Sequence, residues 1–142
     1  MKPELQQVHM KNAENYATLS KASRAKVGAV LVTKTGIEVP GYNGTPIGCD
    51  NECEELVVNG INDYSLKTKS TVIHAELNTI LKCAREGVSC IDATLFVTLS
   101  PCIQCAAMIK QSGINHVFYR NQYRDMSGVD FLVENGVQCS QI

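Results

Sequence analysis

Two short segments constrain the fold of this chain more than any other part of its sequence: His74-Ala75-Glu76 and Pro101-Cys102-Ile103-Gln104-Cys105. Together they carry an imidazole, a carboxylate and two thiols. Zinc binds His nitrogen and Cys sulfur, and a site with three protein ligands keeps a fourth position open for water. Because the segments are far apart in the chain, only a fold that brings them side by side can build such a site.

Length and composition fit one compact domain, residues 1–142, with a sizeable core. The net charge is −1 and the 13 basic residues are scattered, which argues against a grip on long nucleic acid. No apolar run reaches transmembrane length, and the N-terminus lacks the apolar stretch of a signal peptide. An odd number of cysteines, seven, favours metal ligands and buried thiols over disulfides, and so a cytoplasmic protein.

Apolar periodicity predicts an opening hairpin followed by alternating strands and helices. Ser100 and Pro101 fit the N-cap and first turn of a helix. Residues 44–70 show no clear periodicity and are expected to form a functional or mobile loop. The order of elements predicts a three-layer α/β/α domain with a five-stranded mixed sheet. The predicted helices are 4–22, 74–86, 100–111 and 129–135, and the predicted strands are 27–33, 37–42, 93–99, 116–119 and 137–140.

The spacing of Cys102 and Cys105 places both thiols on one side of a helix start, where the positive end of the helix favours thiolates. With His74 they can hold a zinc ion that lowers the pKa of bound water. Glu76 is then free to move protons as a general acid and base. A structural zinc site is the alternative, but it usually has four protein ligands, and no fourth is evident.

The pattern H-x-E…P-C-x-x-C is the signature of zinc-dependent nucleobase deaminases. Beyond it, the chain resembles the deoxycytidylate (dCMP) deaminase family, within the cytidine-deaminase-like superfamily, over roughly residues 14–139. The zinc motif marks only the superfamily; the first two of the following segments narrow the resemblance to this branch. The resemblance is carried by Ser23-Arg24-Ala25-Lys26-Val27-Gly28-Ala29-Val30, Gly41-Tyr42-Asn43-Gly44-Thr45-Pro46, His74-Ala75-Glu76-Leu77-Asn78, Thr98-Leu99-Ser100-Pro101-Cys102-Ile103-Gln104-Cys105 and Tyr119-Arg120-x-x-Tyr123-Arg124-Asp125.

This resemblance implies hydrolysis of dCMP to dUMP and ammonia, which supplies dUMP for thymidylate synthesis. It also implies a homo-hexamer activated by dCTP and inhibited by dTTP, with Mg²⁺ accompanying the triphosphate effector. Effector contacts are expected at Tyr42 and Gly44, although Asn43-Gly44 is a favourable turn pair without any ligand. Family positions that line the nucleotide site match Arg24, Asn43, Ala75, Ser100, Tyr119 and Arg120.

Some family members carry a second, structural zinc in the region that corresponds to residues 44–70. Only Cys49 and Cys53 are available there, with no nearby His, so one zinc per chain is expected. The acidic run from Asp50 to Glu55 could hold Mg²⁺ or pair with arginines of a neighbouring subunit, but such a cluster is more often simply solvated.

Three rival functions remain open. A tRNA adenosine deaminase shares the zinc motif but must grip a folded RNA, which the near-neutral charge disfavours. Free-nucleoside cytidine deaminases usually supply three Cys ligands, whereas His74 stands here. A non-catalytic zinc- or nucleotide-binding module would have no need of Glu76.

Overall fold

A computed structural model describes all residues, 1–142, and its central sheet has five strands in the order β2-β1-β5-β6-β7. β1 lies antiparallel to both β2 and β5, while β5, β6 and β7 run parallel. The predicted mixed sheet is therefore confirmed. The elements are α1 (Pro3–Ala17), β1 (Gly28–Val32), β2 (Glu38–Tyr42), β3 (Glu54–Gly60), β4 (Asp63–Thr68), α2 (Ala75–Glu86), β5 (Thr94–Leu99), α3 (Ile103–Ser112), β6 (His116–Asn121), α4 (Ser127–Glu134) and β7 (Gln138–Gln141).

The sheet is covered on both faces because the side chains of its central strands are apolar and alternate between the faces. On β5, Phe96 points to the side of α1, where it packs with Met10 and Phe118. Leu95 and Val97 point to the other side and join the larger core beneath α2, α3 and α4. This arrangement gives the three layers predicted from the sequence. None of the helices has both the length and the apolar character needed to cross a bilayer.

The first helix is shorter than the predicted range 4–22, since it ends at Ala17. The chain leaves the helix because Ser20 is bound elsewhere: its hydroxyl donates to the carbonyl of Asn43 at 2.9 Å and accepts from the N–H of Ala22 at 3.2 Å. These bonds fix the loop that leads to β1, and this loop contains Arg24. The shortened helix therefore matters for the position of a predicted site residue.

Residues 44–70 contain a β-hairpin, where the sequence predicted a loop. Strands β3 and β4 pair antiparallel, apart from the five-stranded sheet. The hairpin packs against no other helix or strand of the chain. Its apolar side chains stay largely exposed, which explains why the usual signal of a half-buried strand is weak in this region.

Candidate metal centre and substrate cavity

Two helix starts meet at one end of the sheet and carry the predicted metal ligands. His74 is the N-cap of α2, and Cys102 is the N-cap of α3, immediately after β5 and the buried Pro101. The predicted cap, Ser100, lies two residues too early. Its hydroxyl instead accepts from the N–H of Tyr123 at 2.7 Å and donates to Met126 Sδ at 3.5 Å.

The three candidate ligands converge on one point. His74 Nδ1 lies 3.3 Å from Cys105 Sγ and 3.6 Å from Cys102 Sγ, and all three donor atoms lie within 4.8 Å of one another. Ordinary zinc bond lengths and a tetrahedral angle require donor separations of about 3.5 Å. The donor set therefore has the chemistry and the spacing of a zinc site with three protein ligands.

The two thiols of this cluster differ in protonation, because the hydrogen bond to Cys102 and burial raise the pKa of Cys105. Hydrogen bonds from Cys105 and from His74 lower the pKa of the Cys102 thiol to about 4, so this sulfur is a thiolate at neutral pH. The same contact with Cys102 raises the pKa of His74. A metal ion would replace the shared proton, since a thiolate and a neutral imidazole are the forms that bind zinc.

Glu76 is the acid–base group beside this centre. It lies in the first turn of α2, is 4% exposed, and lines the same cavity as His74 and Cys102. Burial raises the pKa of the Glu76 carboxyl to about 7. A carboxyl with that pKa can accept and return a proton at neutral pH, as general acid–base catalysis requires.

A cavity of about 230 Å³ opens above Glu76. Four of the six residues predicted to contact substrate line it: Arg24, Asn43, Ala75 and Ser100. Arg24 is exposed at the rim and is the only lysine or arginine among the lining residues.

Asn43 shapes this cavity from within. Its Oδ1 accepts from the N–H of Val27 and its Nδ2 donates to the carbonyl of Ala25, both at 2.8 Å. These bonds hold the segment that follows Arg24. Asn43 therefore positions the loop that carries Arg24 at the rim of the cavity. The second N–H of its amide is left for contact with a ligand.

Tyr119 and Arg120 do not line the cavity. Tyr119 is 7% exposed and belongs to the main core, while Arg120 donates through Nε to Glu14 at 2.8 Å and through a second guanidinium nitrogen to Gln7 at 3.2 Å. The reason is the position of both residues on β6: one side chain faces the core and the next faces α1.

Seven of the lining residues were not predicted as site residues from the sequence, and Tyr123, Thr68 and Val72 are three of them. Tyr123 belongs to the segment Tyr119–Asp125, which carries part of the family resemblance. Its place in that segment, close to Tyr119 and Arg120, could have identified it as a site residue. Arg124 lies over the Tyr123 ring, 5.8 Å from its centroid. Thr68 and Val72 also line the cavity, but they follow the hairpin, where the sequence has no clear period.

Tyr42 and Gly44 lie in a second depression, of about 360 Å³, on the outer side of α2. Two cations, Lys82 and Arg85, line it as well. Gly44 forms two backbone hydrogen bonds with Ile73, at 2.8 and 3.1 Å, next to the metal ligand His74. The depression is thus joined through a β-bridge to the start of α2.

Comparison with known proteins gives consistent matches. Residues 3–121 match the protein family described as the cytidine and deoxycytidylate deaminase zinc-binding region. The deoxycytidylate deaminase of Mycobacterium phage D29 is 42% identical over 109 residues, which cover 72% of this chain and 84% of the phage protein. ComE operon protein 2 of Bacillus subtilis is 35% identical over 137 residues, covering 96% of this chain and 70% of the relative.

The fold has a similar solved structure over its whole length. The dCMP deaminase of cyanophage S-TIM5, crystallised with dCMP and dUMP, superimposes with a TM-score of 0.89 at 40% identity, covering 100% of this chain and 99% of the other. A structure from a study of tRNA:A34 deaminases superimposes with a TM-score of 0.62 at 24% identity, which shows a shared fold only.

Proposed function

The chain belongs to the cytidine and deoxycytidylate deaminase family, and we propose that it hydrolyses dCMP to dUMP and ammonia. The observation that carries the proposal is the convergence of His74, Cys102 and Cys105 beside the buried Glu76, on a cavity whose rim holds Arg24. The cyanophage relative, which matches the chain over its full length, was crystallised with the proposed substrate and product.

The donor set fits zinc, and His74, Cys102 and Cys105 would hold it. Zinc held there would act as a Lewis acid and would lower the pKa of a bound water. Glu76 takes a proton from the attacking water and gives it to the ring nitrogen next to the amino-bearing carbon. A bond forms between the water oxygen and this carbon, C4 of cytosine. Glu76 then takes the remaining proton from the oxygen on C4 and passes it to the amine. The oxygen becomes the C4 carbonyl, the C4–N bond breaks, and ammonia leaves.

Arg24 is proposed to bind the 5′-phosphate. A guanidinium can donate two parallel hydrogen bonds to phosphate oxygens, and no other lysine or arginine lines the cavity. Asn43 and Ser100 hold the two loops that carry Arg24 and Tyr123, and Ala75 forms part of the wall. A nucleotide with one phosphate end suits this site better than a folded RNA, for which a net charge of −1 offers little attraction.

We expect Arg24→Gln to raise the KM for dCMP by about 10- to 100-fold and to change kcat/KM for deoxycytidine by less than about 3-fold. A hydrogen-bonded charge pair is worth roughly 1.5–3 kcal/mol, and only dCMP has the phosphate that forms it. Steady-state kinetics followed by the absorbance loss on deamination measures both constants. Arg120→Gln is the matched control, because Arg120 is already bound to Glu14.

Equal losses on dCMP and deoxycytidine would contradict a phosphate contact for Arg24. The proposed dCMP deaminase activity is tested by offering the wild-type protein dCMP, cytidine and an adenosine-bearing RNA stem-loop and measuring the deamination of each. Turnover of cytidine or the RNA without turnover of dCMP would overturn the assignment, and no turnover of any of them would favour a binding module.

The second depression is proposed as the effector site, with dCTP·Mg²⁺ as activator and dTTP as inhibitor. Lys82 and Arg85 offer positive charge for a triphosphate beside Tyr42 and Gly44. Because Gly44 is hydrogen-bonded to Ile73, a ligand that shifts Gly44 acts on the backbone next to His74. A small displacement of Gly44 is therefore enough to couple the effector site to the metal centre.

We expect activity at subsaturating dCMP to rise several-fold with dCTP·Mg²⁺ and to fall several-fold with dTTP. Arg85→Gln is expected to weaken both responses about 10-fold in effector concentration, because it removes one cation from the depression. Initial rates across an effector titration measure this. Lys110→Gln, an exposed lysine on α3, serves as the control. A flat wild-type response would remove the effector proposal.

Three further properties are proposed from the family resemblance. The dUMP formed is proposed to supply thymidylate synthesis, and the enzyme is proposed to act as a homo-hexamer. A cytoplasmic location agrees with the cysteines, because all seven are free thiols.

A further inference from the structure

The β3–β4 hairpin is joined to the rest of the chain only at its base. It contacts no other helix or strand of the chain, and an isolated two-stranded hairpin is at best marginally stable in water. One face of it is apolar: Leu56 pairs with Leu66 and Val58 pairs with Tyr64. These four side chains are between 49% and 66% exposed. An exposed apolar face of this kind indicates that the hairpin packs or pairs with a surface outside this chain.

The hairpin also has an open edge along β4. Lys69 donates its N–H to the carbonyl of Cys53 at 2.8 Å, which shows which backbone groups face β3. Because these groups alternate along an antiparallel strand, those of Ser65 and Lys67 also point towards β3. The N–H and C=O groups of Tyr64 and Leu66 therefore point away from it, towards the open edge. An unpaired edge of this kind is a template for another strand.

We propose that β4 pairs antiparallel with β4 of a second copy of this chain, about a two-fold axis at Ser65. In this register Tyr64 and the partner's Leu66 form a hydrogen-bonded pair, which uses the outward-pointing backbone groups. The two hairpins become one four-stranded sheet, which is large enough for independent stability. The proposal does not depend on the deaminase activity.

Side chains favour this register on both faces of the joined sheet. On the apolar face, Val58, Tyr64, the partner's Leu66 and the partner's Leu56 form one continuous row, and the two-fold axis repeats it. On the other face, Asp63 lies opposite the partner's Lys67, and opposite charges directly across strands attract. Both charged residues are exposed in the single chain, so each is free to make this contact.

Neighbouring pairings are less complementary. A shift to an axis at Leu66 would place Tyr64 opposite the partner's Thr68. It would also place Asp63 opposite the partner's Lys69, whose ammonium group is already paired with Asp50 at 3.6 Å and Glu52 at 3.9 Å. Pairing through β3 about Val57 would put Glu55 opposite the partner's Asn59, with no opposite charge. In addition, the carboxylate of Glu54 already accepts the backbone N–H of Ser23, which ties the start of β3 to the body of the domain.

A disulfide tests the axis directly. Ser65 would lie opposite the partner's Ser65 in a non-hydrogen-bonded pair, with Cα atoms about 4.5 Å apart, within the range that a disulfide spans. In a Cys49→Ser background, Ser65→Cys treated with copper phenanthroline is expected to give a covalent dimer as the main species on a non-reducing gel. Val57→Cys, on the other strand, is the matched control and is expected to crosslink at least 10-fold less. Equal or absent crosslinking of the two variants would overturn the proposal.

Charge reversal tests the register. Asp63→Lys and Lys67→Asp would each place like charges across the axis, so each is expected to reduce the mass in sedimentation velocity to half or less of the parental assembly. The double variant restores opposite charges and is expected to regain the parental mass. Unchanged mass in both single variants, or no recovery in the double, would contradict the pairing. These readouts stay valid if the protein proves inactive on dCMP.

Discussion

Replacement of Glu76 by Gln is expected to lower kcat for dCMP by about 1000-fold, with the fold and the zinc content unchanged. The amide has nearly the shape of the carboxyl but cannot take a proton from water or return it to the amine. General acid–base groups typically contribute 10²–10⁴-fold, and Glu76 is proposed to act in more than one transfer. The loss should fall on kcat more than on KM, since the proton moves only during the reaction.

Single-turnover kinetics and metal analysis on the same preparations separate the possible causes. One zinc per chain is expected for the wild type and for Glu76→Gln alike. Glu86→Gln, at the exposed end of the same helix, is the matched control and should keep full activity. If Glu76→Gln kept more than about one tenth of the wild-type kcat, or had lost its zinc, the assignment of Glu76 as proton carrier would be refuted.

Replacement of Gly128 by Ala is expected to lower the free energy of unfolding by about 3 kcal/mol, the upper end for overpacking. Gly128 lies in the first turn of α4, and a Cβ there would stand 2.2 Å from the carbonyl oxygen of Pro101 and 2.7 Å from the carbonyl carbon of Cys102. Alanine favours helix over glycine by only about 1 kcal/mol, which cannot offset a clash with backbone. The turn that must move carries a zinc ligand, so zinc affinity should fall as well.

Urea unfolding of the zinc-loaded proteins measures the first effect, and competition with a zinc chelator measures the second. The midpoint of thermal unfolding should drop by roughly 10 °C. Gly60→Ala is the matched control, because a Cβ at that position meets its nearest atom at 3.9 Å. If the Gly128→Ala protein were as stable as Gly60→Ala, the prediction would be wrong, and α4 would be free to move away from the turn at Pro101 and Cys102.

Strands with strong apolar runs were located from the sequence, whereas the hairpin of residues 54–68 was missed. Val30 and Phe96 lie in buried strands, where composition alone distinguishes strand from loop. Leu56 and Leu66 lie in strands that are buried on neither face within one chain, so the apolar signal is interrupted by charged neighbours. The length of α1 was overestimated for a different reason: a tertiary hydrogen bond of Ser20 ends the helical path.

The residues of the candidate site were also predicted only in part from the sequence. His74, Cys102 and Cys105 were predicted and are brought together, because their chemistry and local spacing leave few alternatives. The two arginines predicted to line the nucleotide site differ in position: Arg24 lines the cavity, and Arg120 is instead bound to Glu14 on α1. Tyr123 lines the cavity and was not predicted as a contact.

The sequence by itself determined the donor atoms, the candidate proton carrier and the order of the helices and of the strands in the five-stranded sheet, because these follow from residue types and short spacings. The tertiary structure decided which polar side chains face the cavity and how closely α4 can approach the turn at Pro101 and Cys102. It also decided that the β3–β4 hairpin packs on no other helix or strand. The physical reason is range. Ligand type, helix capping and strand periodicity act over a few neighbouring residues, whereas the direction of Arg120 and the space around Gly128 depend on segments distant in the chain.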